Sequence, residues 1–299
     1  MSILRAVWQT ARPPFLLLTL SVICLGGALA WYSGAQWSNG LFLLILIGAL
    51  AAHASVNMLN EVHDARSGLD DKTQRTPFSG GSGALQRVPA AIGWSEILAY
   101  VLLGVVIVIG LWFVHLRGWG LLPIGLLGVL VVISYTPKIT HSPWLCLIAP
   151  GLGFGPLMVL GTYYVMMGHY SWLAFGVSLI PFFLVNNLLL LNQFPDYQAD
   201  KQVGRRNILI AAGLQQGALI FRWFLLAAFL TLLLLVALEY LPLWALLGGL
   251  TLLFAVPLYL KVKHQYAELH QMNQVLAWNV VINLATPILI ALGLFIAGA

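Results

Sequence analysis

The stretch LFLLILIGALAAHASVNMLNEVHD, running from Leu41 to Asp64, decides the fold. Its first half is apolar without interruption, and a run over 41–62 reaches the roughly 20 residues a helix needs to cross a hydrocarbon core about 30 Å thick. The apolar residues are continuous rather than alternating, so a membrane β-strand does not fit. In the second half, His53, Asn57, Asn60 and Asp64 recur at helical spacing and place a polar stripe on one face. An ionised side chain among lipid tails costs at least about 2.5–3.5 kcal/mol. The stripe must therefore face the interior of a bundle or a wet cavity.

The rest of the chain repeats the apolar theme. Its 299 residues are 61% hydrophobic and 8% charged, with a mean hydropathy of +0.92. Soluble domains carry about 25% charged residues, so this chain cannot cover a water-facing surface. That excludes a soluble enzyme, a disordered chain and a nucleic-acid binder, despite a pI near 9.3. Cys24 and Cys146 both lie in apolar runs, which argues against a disulfide framework or a zinc site. Nine spans are expected, over 15–34, 41–62, 95–115, 119–136, 144–166, 171–193, 213–240, 242–261 and 274–297. With the N-terminus in the cytoplasm, 12 of the 14 Lys and Arg fall on the inner side. The expectation is an all-α polytopic bundle with its C-terminus outside, forming one membrane domain over 1–299.

Arg5, Arg12, the apolar run from Phe15 and the Ala28-Leu29-Ala30 triplet resemble a cleaved leader. The apolar run continues past the triplet, which favours an uncleaved first span. Residues 1–14 then form an interfacial segment with a short amphipathic helix, broken by Pro13-Pro14. The cytoplasmic loops 65–94 and 194–212 are expected to hold the active-site residues.

Six of the nine acidic residues fall in two short stretches, both expected on the cytoplasmic side. Glu61, Asp64, Asp70 and Asp71 end the second span, and Ser67-Gly68 stops its helix. Asp196 and Asp200 end the sixth span, one and two helical turns beyond Asn192, with Pro195 expected to kink the helix there. Asn-x-x-x-Asp occurs in both, at 60/64 and 192/196. Five clustered aspartates without a cation would repel one another and protonate. Hard oxygen ligands at a watery mouth suit Mg²⁺, which readily shares the phosphate oxygens of a substrate. Two such ions and a diphosphate ester would still leave the site negative, and Lys72, Arg75, Lys201, Arg205 and Arg206 bring it near neutrality.

These residues resemble the UbiA superfamily of intramembrane prenyltransferases. The first family motif is similar to Asn60-Glu61-x-x-Asp64-x-x-x-Gly68-x-Asp70, with Glu61 where many members have Asp. The second is similar to Asp196-x-x-x-Asp200, followed by Lys201, Gly204 and Arg205. Arg12-Pro13, Tyr135-x-x-Lys138 and the run from Gly155-Pro156 to Gly161-Thr162-Tyr163-Tyr164 also look familial, the last like the menaquinone-pathway naphthoate branch. The resemblance implies transfer of a prenyl chain from an allylic diphosphate to an acceptor, usually an aromatic ring, in quinone biosynthesis at the plasma membrane. It implies catalytic roles for Asp64, Asp196, Tyr135 and Lys138. Metal would fall to Asp64, Asp70, Asp71, Asp196, Asp200 and Asn60. The diphosphate would fall to Asn60, Lys72, Arg75, Lys201, Arg205 and Asn192. Tyr135, Tyr163, Tyr164 and Tyr197 are the aromatic rings expected to face an allylic cation.

Other residues have plainer readings. His53 is expected to be a hydrogen-bonded bundle residue, and Asn57, Asn186 and Asn187 can tie helices together. The Ser79-Gly80-Gly81-Ser82-Gly83 run lacks a Gly-Lys-Ser/Thr ending and is expected to be a lid over the site. The competing function is a proton- or cation-coupled transporter using the same acids. A CDP-alcohol phosphotransferase is disfavoured, because Asp64-Ala-Arg66 has the wrong register for that family's motif.

Overall fold

The structure, a computed structural model, describes residues 1–69, 81–202, 204–271 and 273–298. It is 87% helix, with no strand among the described residues. The α-helices are α1 (Ile3–Thr10), α2 (Leu17–Tyr32), α3 (Asn39–Ser67), α4 (Ala84–Arg87), α5 (Ile92–Arg117), α6 (Leu122–Ser134) and α7 (Pro143–Leu152). They continue with α8 (Gly161–Met167), α9 (Trp172–Gln202), α10 (Ile208–Ala212), α11 (Leu214–Ala237), α12 (Leu252–Gln265) and α13 (Asn273–Gly298). A π-helical turn over Gly153–Leu160 joins α7 to α8 and contains Pro156, whose missing N–H widens the local helix.

Among the described residues, eight helical stretches are long and apolar enough to cross a membrane, and Trp119–Ser134 is apolar but shorter. α3 runs five residues past the expected 41–62 and stops where Gly68 takes a left-handed φ of 70°. There the Leu69 N–H turns back to the Asp64 carbonyl at 3.2 Å. The larger departure is in the expected loop 194–212. α9 continues helically through Pro195 to Gln202, nine residues past the expected span end at 193, so Asn192, Asp196 and Asp200 keep the helical spacing expected of them. Proline removes one donor, and the rest of the ladder carries the helix on.

The two ends of the bundle are marked by arginines. At one end Arg66 of α3 forms a fork of hydrogen bonds, 2.8 and 2.6 Å, to Glu96 near the start of α5. α5 then runs about 39 Å at 1.5 Å per residue. At its far end Arg117 donates to the carbonyls of Val165 and Met166 at 2.6 and 3.3 Å, satisfying orphan carbonyls of α8. Within the bundle, asparagines hold the helices together. The Gly151 N–H donates to Asn186 Oδ1 at 2.6 Å, Asn187 Nδ2 to the Phe221 carbonyl at 2.8 Å, and Asn279 Nδ2 to the Asn187 carbonyl at 3.1 Å. Glycine is required at 151, since a Cβ there would stand 2.2 Å from the Phe182 carbonyl oxygen.

Candidate active site

Each of the two motif helices is followed by a glycine with positive φ. Gly68 closes α3, and Gly204 (φ 78°) turns the chain back after α9. That second turn returns Arg205 toward α9: its N–H meets the Asp200 carbonyl at 3.0 Å and its Nη1 donates to Asp200 Oδ1 at 3.2 Å. Its Nη2 donates to Asp64 Oδ1 across the gap to α3. One guanidinium thus joins the ends of the two motif helices. Burial disfavours its charge, but Asp64 and Asp200 outweigh that and hold its pKa above the ordinary arginine value. The other Asp200 oxygen accepts from Asn207 Nδ2 at 2.9 Å. Asn207 also caps α10 through Oδ1 and Ile210 N–H, 3.0 Å.

The turn after α6 docks on the same end. Asn60 Nδ2 donates to Thr136 Oγ1 at 3.3 Å, Thr140 Oγ1 to the Thr136 carbonyl at 2.6 Å, and the Arg206 N–H to the Thr140 carbonyl at 3.4 Å. The ends of α3, α6 and α9 therefore converge.

Beneath them lies a cavity of about 510 Å³. Its polar lining is Arg12, His53, Asn57, Asn60, Tyr135, Thr162 and Asn192, and much of the remaining wall is apolar residues of α5, α6 and α7–α8. Asp64 and Asp196 each stand one turn beyond a lining asparagine, on the same helix face as Asn60 and Asn192 respectively. α6 buries none of its residues, and lining residues Ile107, Leu111 and Leu126 are exposed on the outer surface of the bundle. The cavity accordingly reaches that surface between α5 and α6.

Of the residues singled out in the sequence, Asn60, Asn192 and Tyr135 line this cavity, and Asp64, Asp200 and Arg205 form the cluster above it. Asp196 is half-buried, while Lys201, Arg206 and Lys138 are exposed. Asp70, Asp71, Lys72 and Arg75 lie outside the described residues, as do Ser79 and Gly80 of the expected lid. His53 shares a 2.8 Å hydrogen bond with Thr19 Oγ1, as a bundle histidine should. Asn57 Nδ2 donates to the Ala11 carbonyl at 3.0 Å.

Two tyrosines are misplaced by the sequence reading. Tyr163 and Tyr164 lie on α8 beside the residues capped by Arg117, at the far end of α5 from the carboxylates. Neither lines the cavity. The sequence reading also missed Asn207 and Thr136. A helix-capping asparagine ahead of Ile208-Leu209-Ile210 was a usable sign of Asn207; Thr136 gives no sign.

Residues 19–280 match the UbiA prenyltransferase family. The chain belongs to that family. This UbiA-family chain is 27% identical to the 1,4-dihydroxy-2-naphthoate octaprenyltransferase of Bacillus subtilis (strain 168) over 215 residues, covering 70% of the chain and 66% of that relative, just under two thirds of its length. To the protein of the same name from Haemophilus influenzae it is 26% identical over 223 residues, covering 72% of the chain and 71% of that protein. Among solved structures, the apo form of a UbiA homolog from Aeropyrum pernix K1 superposes with a TM-score of 0.72 at 15% identity, covering 95% of this chain and 98% of that one. A UbiA homolog from Archaeoglobus fulgidus, bound to DMAPP and Mg²⁺, gives 0.59 at 13% identity, covering 97% and 98%. At these identities the structural likeness is one of fold.

Proposed function

We propose that this UbiA-family protein transfers a prenyl group from an allylic prenyl diphosphate to an aromatic acceptor, in a Mg²⁺-dependent reaction at the cytoplasmic end of a nine-span bundle. The observation that carries the reading is the Arg205 bridge between Asp64 and Asp200, one turn beyond the polar end of a largely apolar cavity. An amphiphile with a charged head and a long hydrocarbon tail matches that polarity from end to end.

The donor set fits magnesium. Among the described residues no three His, Cys, Asp or Glu side chains gather closely enough to cage an ion unaided. Mg²⁺ keeps several waters and is bound through one or two carboxylates plus substrate phosphates, so such a cage is not needed. Asp64, Asp196, Asp200 and Asn60 would hold it, with Asp70 and Asp71 as further carboxylates. When bound, the metal neutralises charge developing on the departing diphosphate.

The chain's own groups do the rest. Arg205 offers a planar fork of donors suited to phosphate oxygens, and Asn60 and Asn192 supply amide donors beneath it. Lys201 and Lys138, exposed at the rim, add cationic charge where the head arrives, and Lys72 and Arg75 are assigned the same part. The Tyr135 ring lines the cavity below the carboxylates, where its face stabilises positive charge on the allylic carbon. The apolar walls keep water from that carbon, leaving an electron-rich acceptor carbon as the nucleophile. The hydrocarbon tail runs down the cavity and out between α5 and α6 into lipid.

The acceptor is assigned to the hydroxynaphthoate or hydroxybenzoate class of quinone biosynthesis, supported by the names of the relatives. Placing the site in the cytoplasm, at the plasma membrane, rests on the lopsided distribution of Lys and Arg. Transport has less support, because the paired carboxylates gather at one end of the bundle instead of along a path through it. The test is to incubate purified protein with Mg²⁺, labelled prenyl diphosphates and a panel of aromatic acceptors, then identify products by mass. A prenylated naphthoate or benzoate is expected; no product with any acceptor would overturn the reading.

A further inference from the structure

Glu61 sits in the first acidic motif, yet its surroundings are those of a fastening. It is 0% exposed and does not line the cavity. Oε1 accepts from Arg12 Nε at 2.6 Å and from the Ser82 N–H at 2.7 Å. Oε2 accepts from Ser82 Oγ at 2.7 Å. A carboxylate offers about four lone-pair sites, and three of these are committed to donors from two separate segments. Little is left for an ion arriving with water and phosphate.

Both partners have reason to need holding. Arg12 has a left-handed φ of 52° directly before Pro13, a backbone conformation that non-glycine residues adopt under strain and that a following proline disfavours. The ion pair to Glu61 compensates that strain and fixes the guanidinium beside the cavity, which Arg12 lines together with Asn57 and Asn60. Ser82 lies two residues before α4, and its double contact pins the chain there onto α3. The extra methylene of glutamate supplies the reach that lets one carboxylate serve both segments.

We infer that Glu61 is a positioning residue and not a metal ligand: it latches Arg12 and Ser82 to α3 and thereby presents the Arg12 guanidinium to the diphosphate head. The inference rests on the prenyl-transfer reading above. In that frame Arg12 binds substrate, while Glu61 acts only through it.

The test is steady-state kinetics of purified wild type, Glu61→Gln, Ser82→Ala and the double variant, with prenyl diphosphate, acceptor and Mg²⁺ varied in turn. Glu61→Gln is expected to raise KM for the prenyl diphosphate about tenfold, the scale of one charge-assisted hydrogen bond. The acceptor KM and the Mg²⁺ concentration for half-maximal rate should stay within about twofold, a change too small to signal a lost charge contact. Ser82→Ala removes one donor, leaves the ion pair in place and should move the diphosphate KM the same way by less. Because the two residues share one contact, the double variant should be no worse than Glu61→Gln alone. A raised Mg²⁺ requirement with an unchanged diphosphate KM would make Glu61 a metal ligand and overturn the inference. Additive effects of the two substitutions would also overturn it. Wild-type protein that transfers no prenyl group would instead sink the enzymatic reading, and the latch's role in it too.

Discussion

Asp64 and Asp200 accept hydrogen bonds from the two terminal nitrogens of a single guanidinium, that of Arg205. Each belongs to a different acidic motif, on helices far apart in the sequence. The pair would repel without a cation between them, and Arg205 supplies one from within the chain.

Arg205→Ala should therefore leave two largely buried carboxylates uncompensated. Removing one partner of such a cluster costs on the order of 3 kcal/mol, read as a lower unfolding temperature in divalent-free detergent. Mg²⁺ with inorganic diphosphate should restore more stability to the variant than it adds to wild type. An equal response from the two proteins would argue that metal and guanidinium do not serve the same carboxylates.

Asp64→Asn and Asp196→Asn keep side-chain shape while removing charge. Each is expected to lower kcat on the order of 100-fold, the scale seen when one preorganised electrostatic group is lost. Circular dichroism should remain that of a folded helical protein. Near-normal turnover in both would contradict the assignment of these carboxylates.

Gly128 lines the cavity on α6, and a Cβ there meets nothing within 4 Å. A leucine at this position would project into the path assigned to the hydrocarbon tail. Gly128→Leu should reduce transfer from a long polyprenyl diphosphate about tenfold relative to geranyl diphosphate, in keeping with the 1–3 kcal/mol a misfitted apolar group costs in a pocket. Competition between the two diphosphates in one tube reads this directly; an unchanged ratio would place the tail elsewhere.

The membrane architecture was legible because lipid imposes a strong rule: the long apolar runs become helices almost where composition puts them. The acidic motifs were legible as well, since nine acids in so apolar a chain stand out. What could not be read was how side chains meet across helices. Nothing in the order of residues says that Arg205 returns over Gly204 to reach Asp64, or that Glu61 spends its oxygens on Arg12 and Ser82. The extent of α9 was misjudged for a related reason. Polar residues after Gln193 and a proline look like loop, yet the residues at 192, 196 and 200 keep the helical spacing of a face that needs to stay helical. Tyr163 and Tyr164 were misplaced because an aromatic residue reads alike at either end of a span.

Asn187 offers a test of the bundle independent of the site. It is fully buried, donates to the Phe221 carbonyl and accepts from Asn279 only through its own backbone carbonyl. Asn187→Leu should lower stability by about 1 kcal/mol, typical of interhelical hydrogen bonds in membranes, and leave the KM for prenyl diphosphate unchanged. A large KM effect would bring this residue into the binding site.

The proposed function requires the carboxylate ends of α3 and α9 to grip a diphosphate through divalent metal. Equilibrium binding of geranyl diphosphate to wild type and to Asp64→Asn, with and without Mg²⁺, addresses it most directly. Binding that requires Mg²⁺ in wild type and is lost in the variant is the predicted result. Equally tight binding without Mg²⁺, undiminished by Asp64→Asn, would show that these carboxylates do not hold the diphosphate through metal.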